Sequence, residues 1–249
     1  LQHYGDWPMA LGSYGGDRRM YADNEYDTPY AFMLQFIRTG QTTYADVAYH
    51  SAVHMADVDC KCTDGDMHYH GYRDEADDHG LHRTRGGDLG HYWTDGLMLN
   101  HLLFDDIWSW ESGISISRHL TTIFSGEGDD TIRQHFLGCE RSVGWPLTAL
   151  CGVAEVFDDP HILAKMGQMT GFLARFSADP DSELDNVTEI EGQSIQWWRI
   201  GQEDGSKPFM LGVVLEGLER YYRLTRDPSA AEAAVNICRF LVDVMWVEH

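Results

Sequence analysis

The chain predicts an all-α fold of repeated helical hairpins that stack into a solenoid or close into a toroid. Three observations carry this. A unit of helix, tight turn and helix recurs along the 249 residues, Asp-Pro or Asp-Asp pairs stand at its turns, and no β-rich run interrupts it. Hydrophobic residues make up 43% of the chain, which suits a globular protein with one sizeable core and excludes disorder.

The first unit joins an apolar helical pattern over 30–39, ending at Gly40, to a second over 43–57. In the second, Ala45, Ala48, Ala52, Val53 and Ala56 keep near-helical spacing. A degenerate copy spans 92–104, the turn Asp105-Asp106, and 107–124. The unit returns at 142–157, Asp158-Asp159-Pro160 and 161–176, and again at 209–224, Arg226-Asp227-Pro228 and 229–246. Asp suits these turns because its side chain caps the incoming helix, and Pro suits the first helical turn, where no N–H is needed. Ala-rich second helices, such as Ala230-Ala231-Glu232-Ala233-Ala234, allow close packing.

Three segments lie outside the repeat and are expected to form long irregular loops at one end of the fold: 1–28, 61–89 and 179–207. Loops of this length inside a compact domain are usually functional or disordered, and the density of His and aromatic residues argues against simple disorder. One domain is expected over 1–249. Leu1 is not an initiator Met and the chain stops directly after a helical pattern, so it reads as a piece of a larger multidomain protein.

The formal charge is −22, from 40 acidic and 18 basic side chains, and Lys61, Lys165 and Lys207 are the only lysines. Such a surface excludes nucleic acid as a partner, and no stretch reads as a membrane span. A polyanionic substrate would need Arg focused locally. The overall acid excess with scarce Lys reads as a solvation adaptation to salt. Cys60, Cys62, Cys139, Cys151 and Cys238 are odd in number and do not space as a zinc site. Cys151 and Cys238 fall on apolar helical faces and are expected to be buried core thiols.

The densest chemistry runs from His68 to Trp93, with His68, His70, His79, His82, His91, Arg73, Arg83 and Arg85. Histidine transfers protons near neutral pH, and Arg binds a carboxylate through two parallel hydrogen bonds. Together they suit abstraction of a proton next to a carboxylate. Any single histidine here is better read as a helix cap or exposed loop residue; the cluster as a whole points to function. Metal binding is the rival use. His68 and His70 could present two ligands from one strand face, but further ligands cannot be named from spacing, and no metal ligand is assigned. Asp57, Asp59, Asp64 and Asp66 superficially suit Ca2+, without the spacing and terminal Glu of an EF-hand; no cofactor is assigned beyond that.

The opening segment mixes acids and aromatics: Asp6, Trp7, Tyr14, Asn24, Glu25, Tyr26 and Asp27. Aromatic faces stack on sugar rings, and carboxylates bind hydroxyls or serve as acid and base. The plainer alternative is a capping segment, with Asp27 or Thr28 as the cap and Pro29 in the first turn. A third set is the aromatics at helix starts. Phe209 reads as ordinary core packing, while Trp93 and Trp145 suit pocket lining and core packing equally.

At these residues the sequence resembles the toroid of exo-acting rhamnogalacturonan lyases, polysaccharide lyase family 26, and their bacterial relatives. The resemblance covers most of the chain. It rests on Gly5-Asp6-Trp7-Pro8, on 24–29 (Asn24 to Pro29) and 35–40 (Gln35 to Gly40), and on His54 to Asp59. It continues in 90–97 (Gly90 to Leu97), Gly144-Trp145-Pro146-Leu147, Pro208-Phe209-Met210 and Leu215-Glu216-Gly217-Leu218. It implies a middle (α/α)6-type toroid flanked by β-domains, acting on a polysaccharide or oligosaccharide by β-elimination at galacturonate, in a secreted or periplasmic protein. On general chemical grounds Arg83 or Arg85 would neutralise the uronate, His82 or His91 would remove the C5 proton, and Tyr92 or a second His would protonate the leaving oxygen. Asp6, Trp7, Asn24, Glu25, Asp27, His70, Trp93 and Trp145 would bind the sugar. The chain departs from the family in its acidic stretch over 73–87, in the Asp105-Asp106 turn, and in showing four clear hairpins where a closed ring has six. Two other functions compete: a hydrolase using carboxylates such as Asp6, Glu25, Asp27 or Asp95, and a non-catalytic sugar-binding repeat domain.

Overall fold

The computed structural model describes residues 6–9, 20–23, 26–60, 70–72, 83–84, 89–126, 128–179, 189–190, 193–194 and 207–245. Their framework is all-α. The helices are α1 (Thr28–Thr39), α2 (Thr42–His54), α3 (Asp95–Phe104), α4 (Ile107–Ile123), α5 (Asp130–Gly138), α6 (Arg141–Ala154), α7 (Pro160–Ala178), α8 (Pro208–Thr225) and α9 (Pro228–Phe240). The chain divides into two compact units, Leu1–His119 and Leu120–His249. None of the helices among the described residues is long and apolar enough to cross a membrane.

The expected hairpin turns form by the expected chemistry. Gly40, Asp105 and Arg226 close α1, α3 and α8 in the left-handed conformation, at φ 69, 56 and 59°. Each donates its N–H back to the last helical turn, to the carbonyls of Phe36, His101 and Tyr222. Asp159 and Asp227 then cap α7 and α9, accepting from the N–H of His161 and Ser229 at 2.8 and 2.9 Å, with Pro next in the chain. In the degenerate copy Asp106 takes this role. Its Oδ2 accepts from the N–H of Ser109 at 3.1 Å, from the Ser109 hydroxyl at 2.6 Å and from Asn100 Nδ2 at 3.0 Å.

In the first unit α1 packs on its hairpin partner α2 and on α3, the first helix of the next hairpin. Met33, Ala48 and Ala52 form the core between them, with Phe32, Leu99 and Phe104 against it. In the second unit α6 packs on α8 and α7 on α9, so first helices meet first helices and second helices meet second. This is the packing relation of hairpins stacked side by side. Gly144 and Gly217 permit the α6–α8 approach: a Cβ on Gly144 would stand 2.9 Å from the Val214 nitrogen, and one on Gly217 3.2 Å from the Gly144 carbonyl oxygen.

Several features depart from the sequence expectation. The pattern over 43–57 is not one α-helix; α2 stops at His54 and a π-helical turn, Met55–Asp59, continues it. The last helix likewise ends at Phe240 and passes into a π-helical turn, Leu241–Met245. α5 has no counterpart in the sequence expectation. Nine residues are too few to hold a helix alone, and its stability comes from packing: Phe136 contacts the rings of Phe172 and Phe176 on α7, at 5.7 and 4.9 Å. All three segments outside the repeat contribute short strands. β1 (Asp6–Met9), β2 (Met20–Asp23), β3 (His70–Tyr72) and β4 (Arg83–Thr84) pair in that order as an antiparallel sheet, and β5 (Glu189–Ile190) pairs with β6 (Gln193–Ser194). Runs of two to four residues are too short to show a period of two in sequence.

Two side-chain expectations are corrected. Phe209 is 59% exposed, because α8 turns Met210 and Leu211 inward instead. Cys151 is buried as expected, but Cys238 is exposed. The buried stripe of α9 is Ala230, Ala233 and Ile237, and one residue further on is a rotation of about 100° around the helix. Under native conditions a thiol reagent is therefore expected to modify Cys238 well before Cys151. Peptide mapping checks this, and equal rates at both would contradict the placement.

Candidate functional site

In the first unit a set of buried polar and aromatic groups is assembled at the start of α1 and α3. Asp27 is the N-cap of α1. It has a left-handed backbone, φ 56°, and its Oδ1 accepts the N–H of Tyr30 at 3.2 Å. The same carboxyl group accepts the N–H of Gly96, in the first turn of α3, at 3.2 Å on Oδ1 and 3.0 Å on Oδ2. One side chain thus caps two helices that start 67 residues apart in sequence, at Thr28 and Asp95. Thr94 at the N-cap of α3 makes no side-chain cap bond of its own.

Gly96 is what allows this. A Cβ there would lie 2.3 Å from Asp27 Oδ1, 2.6 Å from Pro29 Cγ and 2.8 Å from the Tyr30 nitrogen. Asp27 is only 5% exposed. Burial, and then the neighbouring Asp95 carboxylate, push its pKa from 3.8 up to about 7, against the N–H groups of Gly96, Tyr30 and Asp95 that pull it down.

Around this junction stand the aromatics. Tyr26, also left-handed at φ 61°, places its ring 6.0 Å from that of Trp93. His91 lies in a short 3-10 turn, Leu89–His91, and meets Trp93 edge-on at 5.7 Å. Tyr26 is exposed while His91 and Trp93 are buried. Tyr92 is fully buried and stacks on His119 at 5.9 Å.

Of the residues singled out in the sequence, Tyr26, Asp27, His91 and Trp93 are therefore brought to one place. Asp6, Trp7, His70 and Arg83 are joined by backbone register in the small sheet. Asp6 pairs with Asp23, Trp7 and His70 both pair with Ala22 on either side of β2, and Arg83 pairs with Tyr72. Asn24, Glu25, His82 and Arg85 lie outside the described residues, as do His68, Asp64 and Asp66. Trp145 is half-buried on α6 in the second unit.

Sequence reasoning missed two features. His54 Nε2 and Asp59 Oδ1 lie 3.4 Å apart and are both buried. They are five residues apart, a spacing that a π-type turn brings onto one side and an α-helix does not. The second is Glu140, buried at the N-cap of α6, whose Oε1 accepts the N–H of Lys207 at the N-cap of α8 at 3.0 Å. It joins two first helices as Asp27 does. The signal available was only an acid just before a first helix. Among the described residues no group of three or more His, Cys, Asp or Glu side chains is placed to hold a metal ion.

No protein-family model matches the chain, and no curated protein matches it.

Proposed function

We propose that this chain is the helical toroid of a carbohydrate-active enzyme, and that it cleaves a uronate-containing polysaccharide of the rhamnogalacturonan type by β-elimination. The observation that carries the proposal is the cluster of Tyr26, Trp93 and His91 at the joined starts of α1 and α3. The exposed ring of Tyr26 is a face on which a sugar can stack, and Trp93 links it to the buried imidazole of His91. The side-by-side hairpins are the packing that a toroid closes into a ring, and the sequence motifs resembling family 26 lyases fall on these same residues.

In the reaction the proton on C5, acidified by the adjacent carboxylate, passes to a base, His91 or His82. The electron pair left on C5 is delocalised into the carboxylate, whose charge Arg83 or Arg85 offsets. The C4–O bond then breaks, a C4–C5 double bond forms, and the leaving oxygen takes a proton from a second histidine. Local arginine is required, because a chain of net charge −22 otherwise repels a polyuronate.

A second reading, hydrolysis, is favoured by the Asp27–Asp95 pair. A carboxyl group held near pKa 7 beside a second carboxylate is the combination that glycosidases use as acid and base. The test is to mix the full-length protein with rhamnogalacturonan and other uronate polymers and follow ultraviolet absorbance at the unsaturated-uronate band. A rise is expected, with a loss of at least about 100-fold in the His91→Gln variant, which keeps most of the buried side chain's volume. Full activity of that variant would remove His91 from the mechanism. New reducing ends without absorbance would establish the hydrolase, and sugar binding without either product would leave a binding domain.

A further inference from the structure

We propose that Asp27 is a positioning residue: its carboxyl group clasps the starts of α1 and α3 and sets Tyr26 against Trp93, and loss of its proton loosens that contact. The clasp is a conformational device that does not depend on which chemistry the site performs.

Three independent features build the clasp. The first is the double capping, in which the N–H groups of Tyr30 and Gly96 converge on one carboxyl group from two helices. The second is the absence of any space at Gly96, which brings the α3 backbone into contact with Asp27, Pro29 and Tyr30. The third is backbone strain. Tyr26 and Asp27 are consecutive non-glycine residues at φ 61 and 56°, a conformation that persists only where the surroundings hold it. Tyr26 is the residue whose ring meets Trp93, so strain, clasp and aromatic contact are one continuous segment.

Among the described residues, few groups titrate here. Asp95 is the described charged group whose field reaches Asp27, and the first turn of α1 carries no acid. His91 touches Trp93 from the turn before α3. Burial and Asp95 hold Asp27 protonated up to about pH 7. When its proton passes to solvent, two neighbouring carboxylates repel across the α1–α3 junction, and separation or hydration of the helix starts relieves them. Tyr26 is then free to leave its strained conformation.

The experiment is a pH titration of tryptophan emission, from pH 5 to 9, on the intact chain and on single variants. The parent protein is expected to show a transition near pH 7 that disappears in Trp93→Phe, which assigns it to Trp93. Asp27→Asn should abolish it, and Asn keeps an acceptor oxygen and tolerates the left-handed conformation. Asp95→Asn should move the midpoint down by about one pH unit, because it removes the repelling charge while leaving Asp27 in place. The proposal is overturned if the transition survives in Asp27→Asn, or if Asp95→Asn leaves the midpoint where it was. A transition lost only in His91→Gln would assign the effect to the imidazole and overturn it equally.

Discussion

Alanine at position 96 is expected to destabilise the protein by about 3 kcal/mol, the upper part of the range for overpacking a close contact. The added methyl group meets atoms that cannot retreat cheaply. Two of the three nearest are the Tyr30 backbone nitrogen and the Pro29 ring, and the third is the Asp27 carboxyl oxygen at 2.3 Å. If Asp27 moves to make room, both helix starts lose their cap, which alone costs about 1 kcal/mol. If α3 moves instead, it parts from α1 along a buried interface. Thermal unfolding should show a fall in Tm on the order of 10 °C. Gly40→Ala makes a useful comparison, since it meets no atom within 4 Å and suffers only its left-handed backbone. A Gly96→Ala variant that loses less than Gly40→Ala would show that the α1–α3 junction is not as tight as its geometry implies.

Replacing Asp27 by Asn is expected to change how stability responds to pH. The folded pKa of this carboxyl group is raised from 3.8 to about 7, so the folded state holds the proton more tightly than the unfolded chain does. The stabilisation linked to that proton is complete below about pH 4, falls as pH rises through 7, and is absent above it. This is opposite in sign to the usual salt-bridged carboxylate. The full difference corresponds to roughly 4 kcal/mol, of which roughly 2–3 kcal/mol falls between pH 5 and 8. Asn cannot ionise, yet its Oδ1 can accept the same two N–H groups. Denaturant unfolding of both proteins at several pH values should therefore show the Asp27→Asn variant gaining on the parent steadily from pH 5 to 8. A constant difference across that range would mean that Asp27 does not carry a raised pKa.

The hairpins were legible because their signals are local. Asp159-Pro160 and Asp227-Pro228 state the turn and the helix start within two residues, and the caps form as those residues require. The candidate site was legible only as a set of residue types. Asp27 and Trp93 could be picked out, but nothing local to either says that one carboxyl group caps both α1 and α3. The start of α3 was misplaced for the same reason: Thr94 offers no side-chain cap bond, and Asp27 supplies it from elsewhere in the chain. The His54–Asp59 pair was hidden because a period of 3.6 residues separates groups that a π-type turn brings together.

By itself the sequence determined the helical class, the hairpin unit and the turn chemistry, since backbone capping and apolar periodicity act over a few residues. Tertiary structure decided which carboxyl group is buried, and hence its pKa. It also decided which glycine must stay a glycine, which cysteine faces solvent, and that Tyr26 meets Trp93. These depend on contacts between segments distant in sequence, whose energies are set by burial and close approach and leave no periodic trace in the chain.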